Sequence, residues 1–129
     1  MSKILIIEDE AAIRNMYAMK LKLSKFDVYE AADGVDGLQM IKDKRPDLVL
    51  LDLRLLDADG NPMADGFQLC REIKRSPQKV PVIVVSAEGD DDACEWAVLQ
   101  GADAYLQKPF AVEDLTALVD QVLVYRAAN

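Results

Sequence analysis

The sequence predicts an α/β fold, a parallel sheet covered by helices on both faces, and three observations carry that prediction. Short apolar runs alternate with stretches of helical period five times along the chain. The runs are nearly continuous in apolar residues, as strands buried on both faces are. A length of 129 residues with 51% apolar content suits one compact domain spanning residues 1–129.

Taken in order, the first run is "KILII", and Ile13, Met16, Tyr17 and Leu21 then mark one face of a helix. "DVYEAA" is the second strand, and Asp33 is a plausible N-cap for a helix carrying Leu38 and Ile41. "DLVLL" is the third strand, followed by a helix with Leu69, Cys70 and Ile73 on its apolar side. "VPVIVVSA" is the fourth strand; the helix after it, placed over Asp90 to Gln100, has only a thin apolar face of Ala93, Trp96 and Ala97. "DAYLQ" is the fifth strand. The last helix has the clearest stripe, because Leu115, Leu118, Val119, Val122 and Leu123 fall at i, i+3, i+4, i+7 and i+8. Right-handed crossovers leave few ways to order such strands. No repeat or linker divides the chain, and Arg54 to Asp65 is the one irregular segment.

Composition removes several functions. A net charge of −8 offers no basic footprint for nucleic acid or an anionic membrane, so direct DNA binding is not expected. The absence of histidine excludes Ser-His-Asp and Cys-His catalysis and every histidine-ligated metal. It also means the chain cannot donate a phosphoryl group from a histidine of its own. Cys70 and Cys94, both in helical patterns, read as buried thiols in a reducing compartment rather than as a disulfide. The N-terminus turns acidic at Glu8-Asp9-Glu10 too soon for a signal peptide, and no apolar stretch approaches the ~20 residues that span a bilayer. A soluble, cytoplasmic protein is expected.

In an open parallel sheet, ligands bind beyond the carboxyl ends of the strands, so strand-end residues locate the chemistry. The first strand ends at Glu8-Asp9, the third at Asp52, the fourth at Ser86 and the fifth at Lys108. Each alone is an ordinary turn or cap residue. Together they bring three carboxylates to one rim, where mutual repulsion calls for a shared proton or a cation. Mg²⁺, which takes oxygen ligands, keeps several waters and commonly joins one or two carboxylates to a phosphate, suits that set.

The strings "ILIIEDEAAIR", "PDLVLLDL", "ADGFQLCREIK", "PVIVVSA" and "GADAYLQKPF", in this order, resemble the receiver domain of two-component response regulators across essentially the whole chain. The resemblance implies a flavodoxin-like, doubly wound (βα)5 fold with strand order 2-1-3-4-5. It implies that Asp52 is the phosphoacceptor, that Glu8, Asp9, Asp52 and the backbone carbonyl of Arg54 hold Mg²⁺ or its substitute Mn²⁺, and that Ser86 is the switch hydroxyl. Lys108 matches the family's lysine and Lys108-Pro109 its cis peptide, while Tyr105 matches the aromatic residue that changes rotamer on activation. Arg54 and Glu88 match the positions that tune phosphoryl lifetime. The implied partners are a sensor histidine kinase or histidine phosphotransfer protein as donor, and a downstream protein target or fused effector domain as receiver. They would meet the surface of the fourth helix, fifth strand and fifth helix, where Trp96 is either exposed or core. The protein would be a monomer or a phosphorylation-dependent dimer, a stand-alone receiver or an excised regulatory domain, with no independent turnover substrate as an enzyme.

The sequence also departs from the family. "ADG" occurs twice between Asp52 and Cys70, so the loop after the acceptor is extended; Leu56 replaces a customary proline, and Asp57, Asp59 and Asp65 add charge. The same string is not a calcium loop, since Pro62 and Gln68 stand where that motif needs Gly and Glu. A phosphatase of the haloacid dehalogenase type would need an aspartate where Arg54 stands, and a flavodoxin-like cofactor protein would need a phosphate loop where Glu8-Asp9 stand. The remaining alternative is an interaction module of the same fold that works without phosphorylation.

Overall fold

The computed structural model describes residues 1–52, 64–86 and 93–128. Its elements alternate as β1 (Lys3–Glu8), α1 (Ala11–Leu23), β2 (Asp27–Ala31), α2 (Gly34–Lys44), β3 (Leu48–Asp52), α3 (Ala64–Arg75), β4 (Val82–Ser86), α4 (Ala93–Leu99), β5 (Ala104–Gln107) and α5 (Val112–Ala128). The strands form one sheet in the order β2-β1-β3-β4-β5, every pairing parallel. The order reverses at β1, and the crevice between β1 and β3 is where such sheets bind ligands.

Side chains alternate across a strand, and here both sets are buried. Leu5, Ile7, Val49, Leu51, Val82 and Val84 pack on one face with Ile41 of α2, Leu69, Cys70 and Ile73 of α3 and Ala97 of α4. Ile4, Ile6, Leu48, Leu50, Ile83 and Val85 pack on the other with Tyr17, Ala18 and Leu21 of α1 and Leu115 and Val119 of α5. Continuous apolar strands are therefore required, and the central strand β3 is buried at all five positions.

Local signals account for several boundaries. Asp33 caps α2, its Oδ1 accepting from the Asp36 N–H at 2.9 Å. Gly101 ends α4 with φ +96, and the Gly101 and Ala102 N–H groups donate back to Val98 and Ala97. Gly37 lets α2 approach β1 closely, because a Cβ there would lie 2.5 Å from Cδ1 of Ile7.

One sequence expectation fails in part. Cys70 is buried but Cys94 is exposed. Helix α4 has seven residues and rests on the core through Ala97, so Cys94 and, further on, Val98 and Leu99 are left toward solvent. The helix is described from Ala93 to Leu99, and Asp90 to Asp92, where the sequence places its start, lie outside the described residues. No helix of the described residues is long and apolar enough to cross a membrane.

Candidate functional site

Parallel register places the chemistry. Glu8 and Asp52 are Cα partners, the last residues of β1 and β3, so two carboxylates are set side by side at the carboxyl edge of the sheet. Ser86 closes β4 on the other side of β3, and Lys108 follows β5. Glu8, Asp52 and Ser86 are 3%, 5% and 3% exposed, the buried polar residues among the described ones.

Asp52 is held by two donors on one oxygen. The Lys108 ammonium lies 2.9 Å from Oδ2, and the Tyr17 hydroxyl donates to the same atom at 2.6 Å. Lys108 is itself tied to β4, its N–H donating to the Ser86 carbonyl at 2.8 Å. The Lys108–Pro109 peptide is cis. Ser86 Oγ and the Tyr105 hydroxyl are hydrogen-bonded to each other, so the half-buried Tyr105 ring lies against the end of β4.

Glu8 is provided for differently. Its Oε1 accepts from the Glu10 N–H at 3.0 Å, and its backbone carbonyl accepts from Arg14 at 2.7 Å, which fixes the turn into α1. Its Oε2 is buried without a hydrogen-bond partner. Burial, first, and then the adjacent Asp52 carboxylate push the Glu8 carboxyl up to about 9. With both carboxyls ionised Oε2 has no donor, so either a proton placed between Glu8 and Asp52 or a cation is needed to satisfy it. That orphaned oxygen next to a second carboxylate fits a hard divalent cation.

Asp9 lies alongside at the exposed mouth, and among the described residues no three metal-ligating side chains converge into a closed set. Glu8 and Asp52 are the carboxylates that the sheet register brings side by side at this edge. Arg54 and Glu88, like Leu56, Asp57 and Asp59, lie outside the described residues, as do the side chains of Asp65 and Trp96. Expectations placed on them rest on sequence alone.

Tyr17 is the site residue that sequence reasoning missed. In the sequence it is one member of an apolar helix stripe, and in the fold its ring is 2% exposed in the core and stacks on Phe110 with centroids 6.2 Å apart. The available signal was its hydroxyl: a tyrosine on a core-facing helix position must find a polar partner. Here that partner is Asp52, and burial followed by the Asp52 bond raises the phenol pKa above its ordinary range.

Comparison with known proteins agrees with this geometry. The family model of the response regulator receiver domain matches residues 4–120. The chain is 36% identical over 125 residues to the DNA-binding dual master transcriptional regulator RpaA of Synechocystis, covering 95% of this chain and 49% of that protein. It is 38% identical over 123 residues to the transcriptional regulatory protein AfsQ1 of Streptomyces coelicolor, covering 95% and 52%. The chain thus spans about half the length of the curated relatives it matches. Among solved structures, a putative response regulator from Chloroflexus aurantiacus superposes with a TM-score of 0.83 at 30% identity, covering 95% of this chain and 98% of that one. A receiver domain from Clostridium thermocellum gives 0.85 at 27%, covering 99% and 98%. With the strand order, the carboxylate pair and the lysine all in place, this chain belongs to the receiver-domain family of two-component response regulators.

Proposed function

We propose that this domain is a phosphorylation-dependent switch in which Asp52 accepts a phosphoryl group from a phosphohistidine on a sensor kinase or phosphotransfer protein. The observation that carries the reading is the setting of Asp52: a buried carboxylate closing the central strand, paired with the Lys108 ammonium and beside the orphaned oxygen of Glu8. Phosphoryl transfer asks for positioning and charge neutralisation more than for covalent assistance.

In the step itself an Asp52 carboxylate oxygen forms the bond to phosphorus as the phosphorus–nitrogen bond of the donor breaks, leaving aspartyl phosphate and an imidazole. Glu8, Asp9, Asp52 and the Arg54 carbonyl are the residues assigned to Mg²⁺, or Mn²⁺ in its place. When bound, the cation would neutralise phosphoryl oxygens and remove the Glu8–Asp52 repulsion. Lys108 supplies positive charge from the fifth-strand side. Ser86 then donates to a phosphoryl oxygen, breaking its bond with Tyr105, and the Tyr105 ring moves with it. The surface of α4, β5 and α5 changes as a result, and a protein target or fused effector reads the change. A chain of net charge −8 would leave any nucleic-acid contact to that effector. The setting is cytoplasmic, and Arg54 and Glu88 tune phosphoryl lifetime.

Acetyl phosphate or beryllofluoride with Mg²⁺, followed by intact mass and Trp96 fluorescence, tests this reading. Wild type gains one phosphoryl mass and a fluorescence change, and Asp52→Asn gains neither. An unmodified wild type supports instead the phosphorylation-independent interaction module.

A further inference from the structure

Tyr17 lies outside the roles assigned so far. Its hydroxyl reaches across from α1 to the acceptor and donates to Asp52 Oδ2 at 2.6 Å, the oxygen that also faces the Lys108 ammonium at 2.9 Å. Its ring is fixed by burial and by stacking on Phe110, two residues beyond Lys108. One phenol therefore connects the helix after β1, the acceptor at the end of β3 and the segment after β5. Packing alone would be met by phenylalanine. The hydroxyl adds a donor aimed at the acceptor.

We propose that Tyr17 is a positioning residue for Asp52 whose hydroxyl shortens the life of the aspartyl phosphate. The inference rests on the reading of Asp52 as the phosphoacceptor. With Oδ2 engaged by two donors, the other carboxylate oxygen is the one presented to phosphorus, and Oδ2 becomes the carbonyl oxygen of the acyl phosphate. A carbonyl oxygen is a weaker acceptor than a carboxylate, because bonds to ionised groups are about twice as strong as neutral ones. The Tyr17 bond thus favours the unphosphorylated state.

In hydrolysis a water oxygen bonds to phosphorus, its proton passes to solvent, and the phosphorus–oxygen bond to Asp52 breaks with its electron pair staying on the carboxylate. Negative charge returns to Asp52 as the barrier is crossed. A donor already aimed at Oδ2 stabilises that charge, as fixed donors do wherever charge develops in a transition state. Tyr17 and Lys108 act here in the same direction, but only Tyr17 is confined to the Asp52 side, being buried in the core while Lys108 reaches in from the partly exposed rim.

The test compares wild type, Tyr17→Phe and Tyr17→Leu, each loaded with acetyl phosphate and Mg²⁺ and then desalted, with decay followed by intact mass. Phenylalanine keeps the ring against Phe110 and removes only the donor. Loss of a charge-assisted hydrogen bond that is partly developed in the transition state makes the phosphoryl life of Tyr17→Phe roughly tenfold longer. Tyr17→Leu should match or exceed it. Urea midpoints of the unphosphorylated proteins report any loss of packing, which falls mainly on the leucine variant. A near-ultraviolet difference spectrum on adding beryllofluoride should show a larger phenol perturbation in wild type than in Tyr17→Phe, which keeps only the contribution of Tyr105, a difference that packing alone would not produce. Equal decay of wild type and Tyr17→Phe overturns this inference and leaves the phosphoacceptor reading intact. A wild type that takes up no phosphoryl group overturns both.

Discussion

Replacing Glu8 with glutamine tests the electrostatics of the site without any phosphoryl chemistry. An ordinary glutamate titrates near 4.5, and in the fold burial and Asp52 hold Glu8 at about 9. Below 4.5 the carboxyl is protonated in both folded and unfolded chains and costs nothing. As pH rises above 4.5 the unfolded chain releases the proton and the folded, metal-free chain keeps it. Stability is therefore lost with rising pH at about 1.4 kcal/mol per unit until the folded group itself titrates. Between pH 5 and pH 7 the loss from this group is about 3 kcal/mol.

Glutamine has the shape of the protonated acid, carries a donor that can face Asp52, and has no proton to take up. In the presence of a chelator, Glu8→Gln should match wild type near pH 5 and exceed it at pH 7 by up to about 3 kcal/mol. For an m-value of about 1.5–3 kcal/mol/M, that is a urea midpoint roughly 1–2 M higher. Millimolar Mg²⁺ should narrow the gap by stabilising wild type more than the variant, because a ligand that binds only the folded state stabilises it by mass action. A Glu8→Gln protein no more stable than wild type at pH 7, or a gap that does not change with pH, would refute the placement of an unsatisfied carboxyl beside Asp52.

Three further predictions concern the scaffold. Gly37→Ala should lower stability by about 1–2 kcal/mol in urea unfolding, since forcing a methyl against the fully buried Ile7 outweighs the gain of about 1 kcal/mol in helix propensity. A thiol reagent should label Cys94 at once and Cys70 only on unfolding. Burial raises the Cys70 thiol from 9.0 to about 11, so its contribution to stability is intact below pH 9 and is lost as pH climbs from there toward 11. Cys70→Ala should remove that part of the alkaline decline in an unfolding titration.

How far the sequence could be read follows from where the information lies. Strands buried on both faces must be apolar throughout, so a polar residue at the carboxyl end of "KILII", "DLVLL" or "VPVIVVSA" stands out against its run. Glu8, Asp52 and Ser86 are legible for that reason, and parallel pairing brings them to one edge. Helices conceal more. Tyr17 satisfies the apolar stripe of α1 through its ring while its hydroxyl reaches Asp52, 35 positions away, and no spacing within α1 reveals that. Cys94 misled for the opposite reason, because it lies in a helical apolar pattern and is nonetheless exposed, so an apolar neighbour in sequence is no guarantee of burial.

The division of labour proposed for the two carboxylates follows from where the donors are. Both close parallel strands in the same register, and both are almost fully buried, so strand position does not tell them apart. Asp52 receives Lys108 and Tyr17 on one oxygen, so its charge is balanced before any ligand arrives. Glu8 receives one backbone N–H on Oε1 and nothing on Oε2, so its charge is not. A nucleophile must be ionised and oriented in advance, whereas a metal ligand is best left wanting a cation. Without Lys108 and Tyr17, Asp52 would depend on the cation alone for its neutralisation, and a donor beside Glu8 Oε2 would weaken the case for Mg²⁺ at this edge.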